Sequence, residues 1–278
     1  MSSADNTGES EIAPLTAFVE QATTILSTDE RVRVLWLTGS LATGTADSQS
    51  DVDLRAAVRE ESFATMSEWW SELIEQVAPT VWKHRWPGPP DEAILSAITS
   101  HYLRFDVVIH SATDTRPRML EAARLIFDKD GIAEQFLLTS SLQHDPFTGL
   151  SFIVEEFIRL LGMLPIVVDR DDVPIGMEGQ LGLHSLFISL LLLENGVDRT
   201  TTGKRHVAAL LNDEQRAIQA QMPPLAPTME SIIQGRATYG RLFLPRARQL
   251  MEKQGYSYPE AFEQAIRRYL LETLGLTI

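Results

Sequence analysis

The sequence has no cysteine, which excludes disulfides, thiolate metal sites and cysteine nucleophiles together. It is also poor in basic residues: 24 Lys and Arg stand against 38 Asp and Glu, a formal net charge of −14. A field of that sign repels phosphate backbones, so nucleic acid is not an expected partner; a cationic small molecule is attracted, although solubility alone explains strong acidity more often. Long apolar runs are lacking too. The most apolar stretch, Leu186 to Leu193, falls far short of the ~20 residues that span a bilayer. The N-terminal MSSADNTGESE has neither the basic start nor the apolar core of a signal peptide. These absences point to a soluble cytoplasmic chain with no membrane partner, and Leu186 to Leu193, buried within the subunit or at a dimer seam, leaves monomer or homodimer open.

What is present suits a folded protein. Hydrophobic residues make up 44% of the 278 positions, enough for a sizeable core, and the length favours two domains. Residues 1–12 read as a disordered acidic tail. Leu15, Phe18, Val19, Ala22, Ile25 and Leu26 then recur at helical spacing. Val32 to Leu37 is a short bulky run that stops at Thr38-Gly39-Ser40, the pattern of a buried strand ending in a tight turn. Further strands are expected at Val52–Val58, at Tyr102–Ile109 and at Leu125–Phe127, with an edge strand at Val81–Trp86. A helix carries Phe63, Met66, Trp69, Trp70, Leu73, Ile74 and Val77. From Phe152 onward the apolar spacing is helical, over 152–164, 181–193, 204–211, 229–251 and 259–274, with Gly196 as a helix stop. The chain therefore divides into an α/β domain over 13–135 and an all-helical domain over 145–278.

The stretch Leu35 to Leu54, LWLTGSLATGTADSQSDVDL, is the most informative. Glycine at 39 lets backbone N–H groups approach an anion, and a following helix would aim its positive end at the same place, so Gly39 and Ser40 form a candidate phosphate cradle. Asp51 and Asp53, two apart on a strand, project from one face. Carboxylates held that close repel unless a cation lies between them, and oxygen donors suit Mg²⁺. Asp106, alone inside an apolar strand, is expensive to bury unless paired or liganded and is expected to join them. Asp-x-Asp alone, or a Gly-Ser turn alone, is unspecific; their conjunction in this order is not. Competing motifs fail: Gly203-Lys204 lacks the remainder of a P-loop, no H-E-x-x-H or G-x-S-x-G occurs, and the six histidines are scattered, each expected at the surface or as a cap and not as a zinc ligand.

G-S, a short loop and S-D-V-D-L together resemble the signature of the nucleotidyltransferase superfamily, which includes DNA polymerase beta and the antibiotic adenylyltransferases. The resemblance runs from Val32 to Gly131. LIFDKDG, at 125–131, is similar to a strand that follows the third acid in the aminoglycoside and lincosamide members. The resemblance implies an α/β (α+β) domain with a small mixed sheet, followed by an all-helical domain. It also implies metal ligation by Asp51, Asp53 and Asp106, with Asp106 as metal ligand or as general base toward the acceptor. ATP would be the nucleotide donor, with Gly39 and Ser40 at its phosphates; of the basic residues Arg199, Lys204 and Arg205, Lys204 would reach them from the helical half, although an ordinary basic turn explains this cluster at least as well. The acceptor would be a hydroxyl-bearing small molecule of the aminoglycoside or lincosamide kind, modified with AMP. The alternative is an antitoxin-like protein of the same fold that binds or modifies a protein partner. Glu155 and Glu156 could meet substrate amines, although a solvated helix face explains them better.

Overall fold

A computed structural model describes residues 5–87, 89–114, 123–136, 145–198 and 207–278. The chain divides into two compact units, Met1–Leu142 and Gln143–Ile278.

The first unit is built on a six-stranded sheet of order β3-β4-β5-β2-β1-β6. Its strands are β1 (Val32–Thr38), β2 (Val52–Val58), β3 (Thr80–Trp86), β4 (Glu92–Thr99), β5 (Arg104–Ser111) and β6 (Arg124–Asp128). β2 and β5 pair parallel and their other pairings are antiparallel, so the sheet is mixed. Strand alternation sorts the side chains into two faces. Leu35, Leu37, Leu54, Ala56, Phe105, Val107 and Ile109 point to one face. Two helices cover that face: α1 (Asp5–Thr28), through Leu15, Phe18, Ala22 and Leu26, and α4 (Met66–Val77), through Trp69, Trp70, Leu73 and Ile74. Between them in sequence lie two short helices, α2 (Gly39–Thr43) and α3 (Glu60–Phe63). The opposite face carries Thr38, Asp53, Asp106 and Ser96, with a small second cluster of Val34, Trp36, Ala57, Ala133 and Phe136 at its far end.

Three expectations need correction. The segment expected as a disordered tail is helical from Asp5 onward. β4 was not anticipated, because EAILSAIT is apolar or small on both faces and shows no alternation of polar and apolar residues. His110, expected at the surface or as a cap like the other histidines, is fully buried between Trp36 and Phe136.

At the end of β6, Asp128 accepts hydrogen bonds from the N–H groups of Ala133 (2.8 Å) and Asp130 (3.1 Å). Burial pushes the Asp128 carboxyl up, but the surrounding backbone N–H donors outweigh it and hold the group below the usual carboxylate range.

The second unit is helical: α5 (Leu150–Gly162), α6 (Leu164–Asp169), α7 (Val173–Glu194), α8 (Val207–Leu210), α9 (Asp213–Ala220), α10 (Met229–Lys253) and α11 (Glu260–Leu274). Its core joins α5, α7 and α10 through Val154, Phe157, Leu183, Phe187, Leu191, Tyr239 and Phe243. Phe157 and Phe243 stack with ring centroids 3.5 Å apart. α7 begins earlier than its apolar spacing predicts, because Asp172 caps the N–H of Ile175 and Pro174 sits in the first turn. At 22 residues it is by length and composition long and apolar enough to cross a bilayer, which corrects the estimate of a short run. Burial from several sides accounts for that composition. Gly196 ends the helix with φ +73°, and the N–H of Val197 returns to the carbonyl of Leu192 at 3.0 Å.

Candidate active site

β1 delivers the chain to Gly39 at φ +65°. A Cβ at this position would overlap the Asp53 carboxylate, so the position requires glycine twice, for conformation and for space. α2 is one short turn of five residues, closed by Gly44 at φ +72°. It is too short for the dipole contribution that a full following helix would supply, so anion recognition there falls to local N–H groups and Ser40. Ser40 Oγ is buried and has no hydrogen-bond partner among the described residues.

The chain returns to β2 through a loop pinned from two sides. Within it, Asp47 Oδ1 accepts from the N–H of Gln49 (2.9 Å) and from Ser50 Oγ (3.1 Å). From β5, Arg104 donates to the Gln49 carbonyl. Asp51 follows this loop, buried, and Asp53 lies two residues on along β2. Thr38 Oγ1 donates to the Asp53 carbonyl at 3.3 Å, tying the end of β1 to the acid strand.

The parallel pairing places Asp53 directly beside Asp106 on β5. One carboxylate oxygen from each of Asp51, Asp53 and Asp106 lies within 4.8 Å of the other two. Three hard oxygen donors at that separation fit a divalent cation such as Mg²⁺, with coordination left over for water and phosphate oxygens. The structure therefore brings together Gly39, Ser40, Asp51, Asp53 and Asp106. Lys204, with Arg199 and Arg205, lies outside the described residues. Of the two glutamates considered for substrate amines, Glu155 is exposed and Glu156 is held by Arg159 at 2.7 Å.

Two neighbours escaped the sequence reading. Arg55 shares the face of Asp53 and binds Glu92 of β4 at 2.9 Å; its place two residues after Asp53 was a legible signal. Ser96 stands opposite Asp106 across the β4 pairing, and without β4 it had no address.

Residues 19–86 match the family model described as a nucleotidyltransferase domain. The match spans β1, the Gly39-Ser40 turn, Asp51 and Asp53, and it ends before Asp106. The likeness to that domain therefore lies within the first unit. Among solved structures it is similar to an aminoglycoside 6-adenyltransferase from Bacillus subtilis, at 13% identity over 93% of this chain and 96% of that one, with a TM-score of 0.39. It is also similar to a nucleotidyltransferase-like protein from Exiguobacterium sibiricum 255-15, at 13% identity over 95% and 88%, with a TM-score of 0.36. No curated protein matches the chain.

Proposed function

We propose that the chain is a magnesium-dependent nucleotidyltransferase that moves AMP from ATP to a hydroxyl of a small molecule of the aminoglycoside or lincosamide kind in the cytoplasm. The observation that carries the reading is the approach of three carboxylates beside a glycine turn whose serine hydroxyl lacks a partner. Asp51, Asp53 and Asp106 would hold Mg²⁺, which supplies neutralisation of charge on the phosphates and on departing pyrophosphate. Ser40 and the N–H groups beside it orient the β- and γ-phosphates, so that the α-phosphorus lies near the acids. The acceptor oxygen bonds to that phosphorus as the bond to the bridging oxygen of pyrophosphate breaks. In this reading Asp106, one strand further from the turn than Asp53, would hold the metal or accept the hydroxyl's proton.

The test is incubation of the full chain with ATP, Mg²⁺ and a panel of aminoglycosides and lincosamides, read by mass for an added AMP group. Asp53→Asn should fold normally and lose product by a factor of 100 or more, on the order expected for an essential charge in phosphoryl transfer. Full turnover by that variant would sink the site. Adenylylation of a protein but of no small molecule would replace the antibiotic reading with an antitoxin-like one.

A further inference from the structure

The sheet face that bears the acids continues past Asp106 into a region that the acids and the turn leave unused. Ser96 is paired with Asp106, and His84 of β3 is paired with Ser96, so a single cross-strand row runs Thr38, Asp53, Asp106, Ser96, His84. Trp82 and Trp86, two residues to either side of His84, share its face. The three rings form a ladder. Trp82 stacks on His84 at 5.7 Å and His84 meets the edge of Trp86 at 4.5 Å. Trp86 Nε1 donates to Ser96 Oγ at 2.7 Å, which fixes the indole beside the row. Both indoles remain open to solvent, at 42% and 47%. Ile94 and Ile98, the cross-strand partners of Trp86 and Trp82, and Val108 extend the apolar floor toward the acids. Two strand spacings put the ladder roughly 10 Å from Asp106.

The chemistry of transfer says what approaches from this side. An in-line displacement needs the attacking oxygen and the departing pyrophosphate on opposite sides of the α-phosphorus. With the β- and γ-phosphates at Gly39 and Ser40, on the β1 side of the acids, the acceptor comes from the β4 and β3 side. The ladder lies along that approach. We infer that Trp82, His84 and Trp86 form the acceptor subsite, holding a second ring of the molecule whose first ring presents its hydroxyl beside Asp106. The occupant is a cationic saccharide: the C–H face of a sugar or cyclitol ring covers an indole, and its ammonium or guanidinium groups are attracted to the indole π-faces. The net charge of −14 draws the same class of molecule. This inference rests on the transfer reading for its direction, but ring binding can be measured without turnover.

Streptomycin and kanamycin serve as probes, with the full chain and Mg²⁺. Titrated without nucleotide, an aminoglycoside that binds should change tryptophan emission in the wild type, and Trp82→Phe and Trp86→Phe together should remove most of that change. In turnover, Trp82→Ala and Trp86→Ala should each raise the acceptor KM tenfold or more and leave the ATP KM within twofold. The Phe variants should restore most of the affinity, a rescue that a purely structural role would not produce. Because β3 is an edge strand and both indoles are exposed, these variants are expected to fold, and circular dichroism checks it. An unchanged acceptor KM in the Ala variants overturns the subsite and leaves the transfer reading standing. A Phe-sensitive emission change with no adenylylated product supports the subsite and overturns the transfer reading. Neither emission change nor product from either probe overturns the subsite as assigned.

Discussion

At Gly39 and Ser40, adjacent residues make opposite demands on stability. Gly39→Ala must place a methyl group at φ +65° and against the Asp53 carboxylate. The left-handed conformation alone costs ~1–2 kcal/mol, and the overlap adds to it, so both stability and turnover should fall. Ser40→Ala removes a buried hydroxyl that has no partner among the described residues, and deleting such a group is neutral or stabilising. Urea denaturation should therefore show Ser40→Ala at least as stable as wild type while its turnover drops. A variant losing stability in step with activity would assign Ser40 to the fold instead of to phosphate. This residue pair was legible in sequence because a turn glycine after a bulky strand is a local signal. Asp106 was legible by contrast with its apolar neighbours. Arg55, two residues after Asp53, was legible but overlooked, whereas the Trp82 ladder takes its meaning from the pairing of β3 with β4 and was not legible.

Among elements, those with one polar and one apolar face announced themselves, and those with two similar faces did not. β1, β2 and β5 were readable because bulky runs ended in turns or contained acids. β4 was hidden by alanine on one face and isoleucine on the other. α9 was hidden for the reverse reason, its sequence DEQRAIQA being almost wholly polar. Its start was nevertheless written in the sequence, as a capping box between Asn212 and Gln215. α10 and α11 are joined at Glu263, which is 4% exposed and binds Arg248 at 2.8 Å and Arg267 at 2.6 Å. Burial pushes this carboxyl up, but the Tyr258 hydroxyl nearby and the bonds from Arg267 and Arg248 win and hold it below its ordinary value of 4.5. A depressed folded-state value means that the stabilisation is complete above the unfolded-state value and is lost as pH falls through the folded one. Glu263→Gln should destabilise the chain on the order of 1–3 kcal/mol at neutral pH, allowing for the partial exposure of the arginines. Denaturation at a series of pH values should show the gap between variant and wild type closing below pH 4.5, the ordinary value. A constant gap would show that packing, not charge, is what Glu263 contributes.

For the whole molecule, charge is the governing quantity. A chain at −14 that clusters three carboxylates repels a triphosphate unless a cation intervenes. Calorimetry should accordingly find ATP binding with Mg²⁺ and almost none with chelator, and equal affinity in the two conditions would remove the metal from the reading. A cationic acceptor should bind less tightly as salt is raised, because screening weakens its attraction to the acidic surface, while a lincosamide leaning on apolar contact should be indifferent. The division into two units was legible as the point where strand patterns cease, because each half carries its own periodicity and its own core. The acceptor was not legible, because acidity attracts many cations equally.

The parallel pairing of β2 with β5 also sets the order in which the site comes into being. Asp53 and Asp106 are neighbours in the sheet, yet roughly fifty residues separate them, and at ~5–20 residues per second the ribosome releases the first several seconds before the second. In that interval the nascent chain holds two acids and no place for the third until the helix and hairpin between them have folded back. A divalent ion that needs all three has nothing to grip on an unfinished chain. An ion held by all three would bind the completed fold alone, and by mass action its binding would draw folding toward completion. The same ion that would serve the reaction would thus also mark, for each molecule, that assembly of the sheet is over.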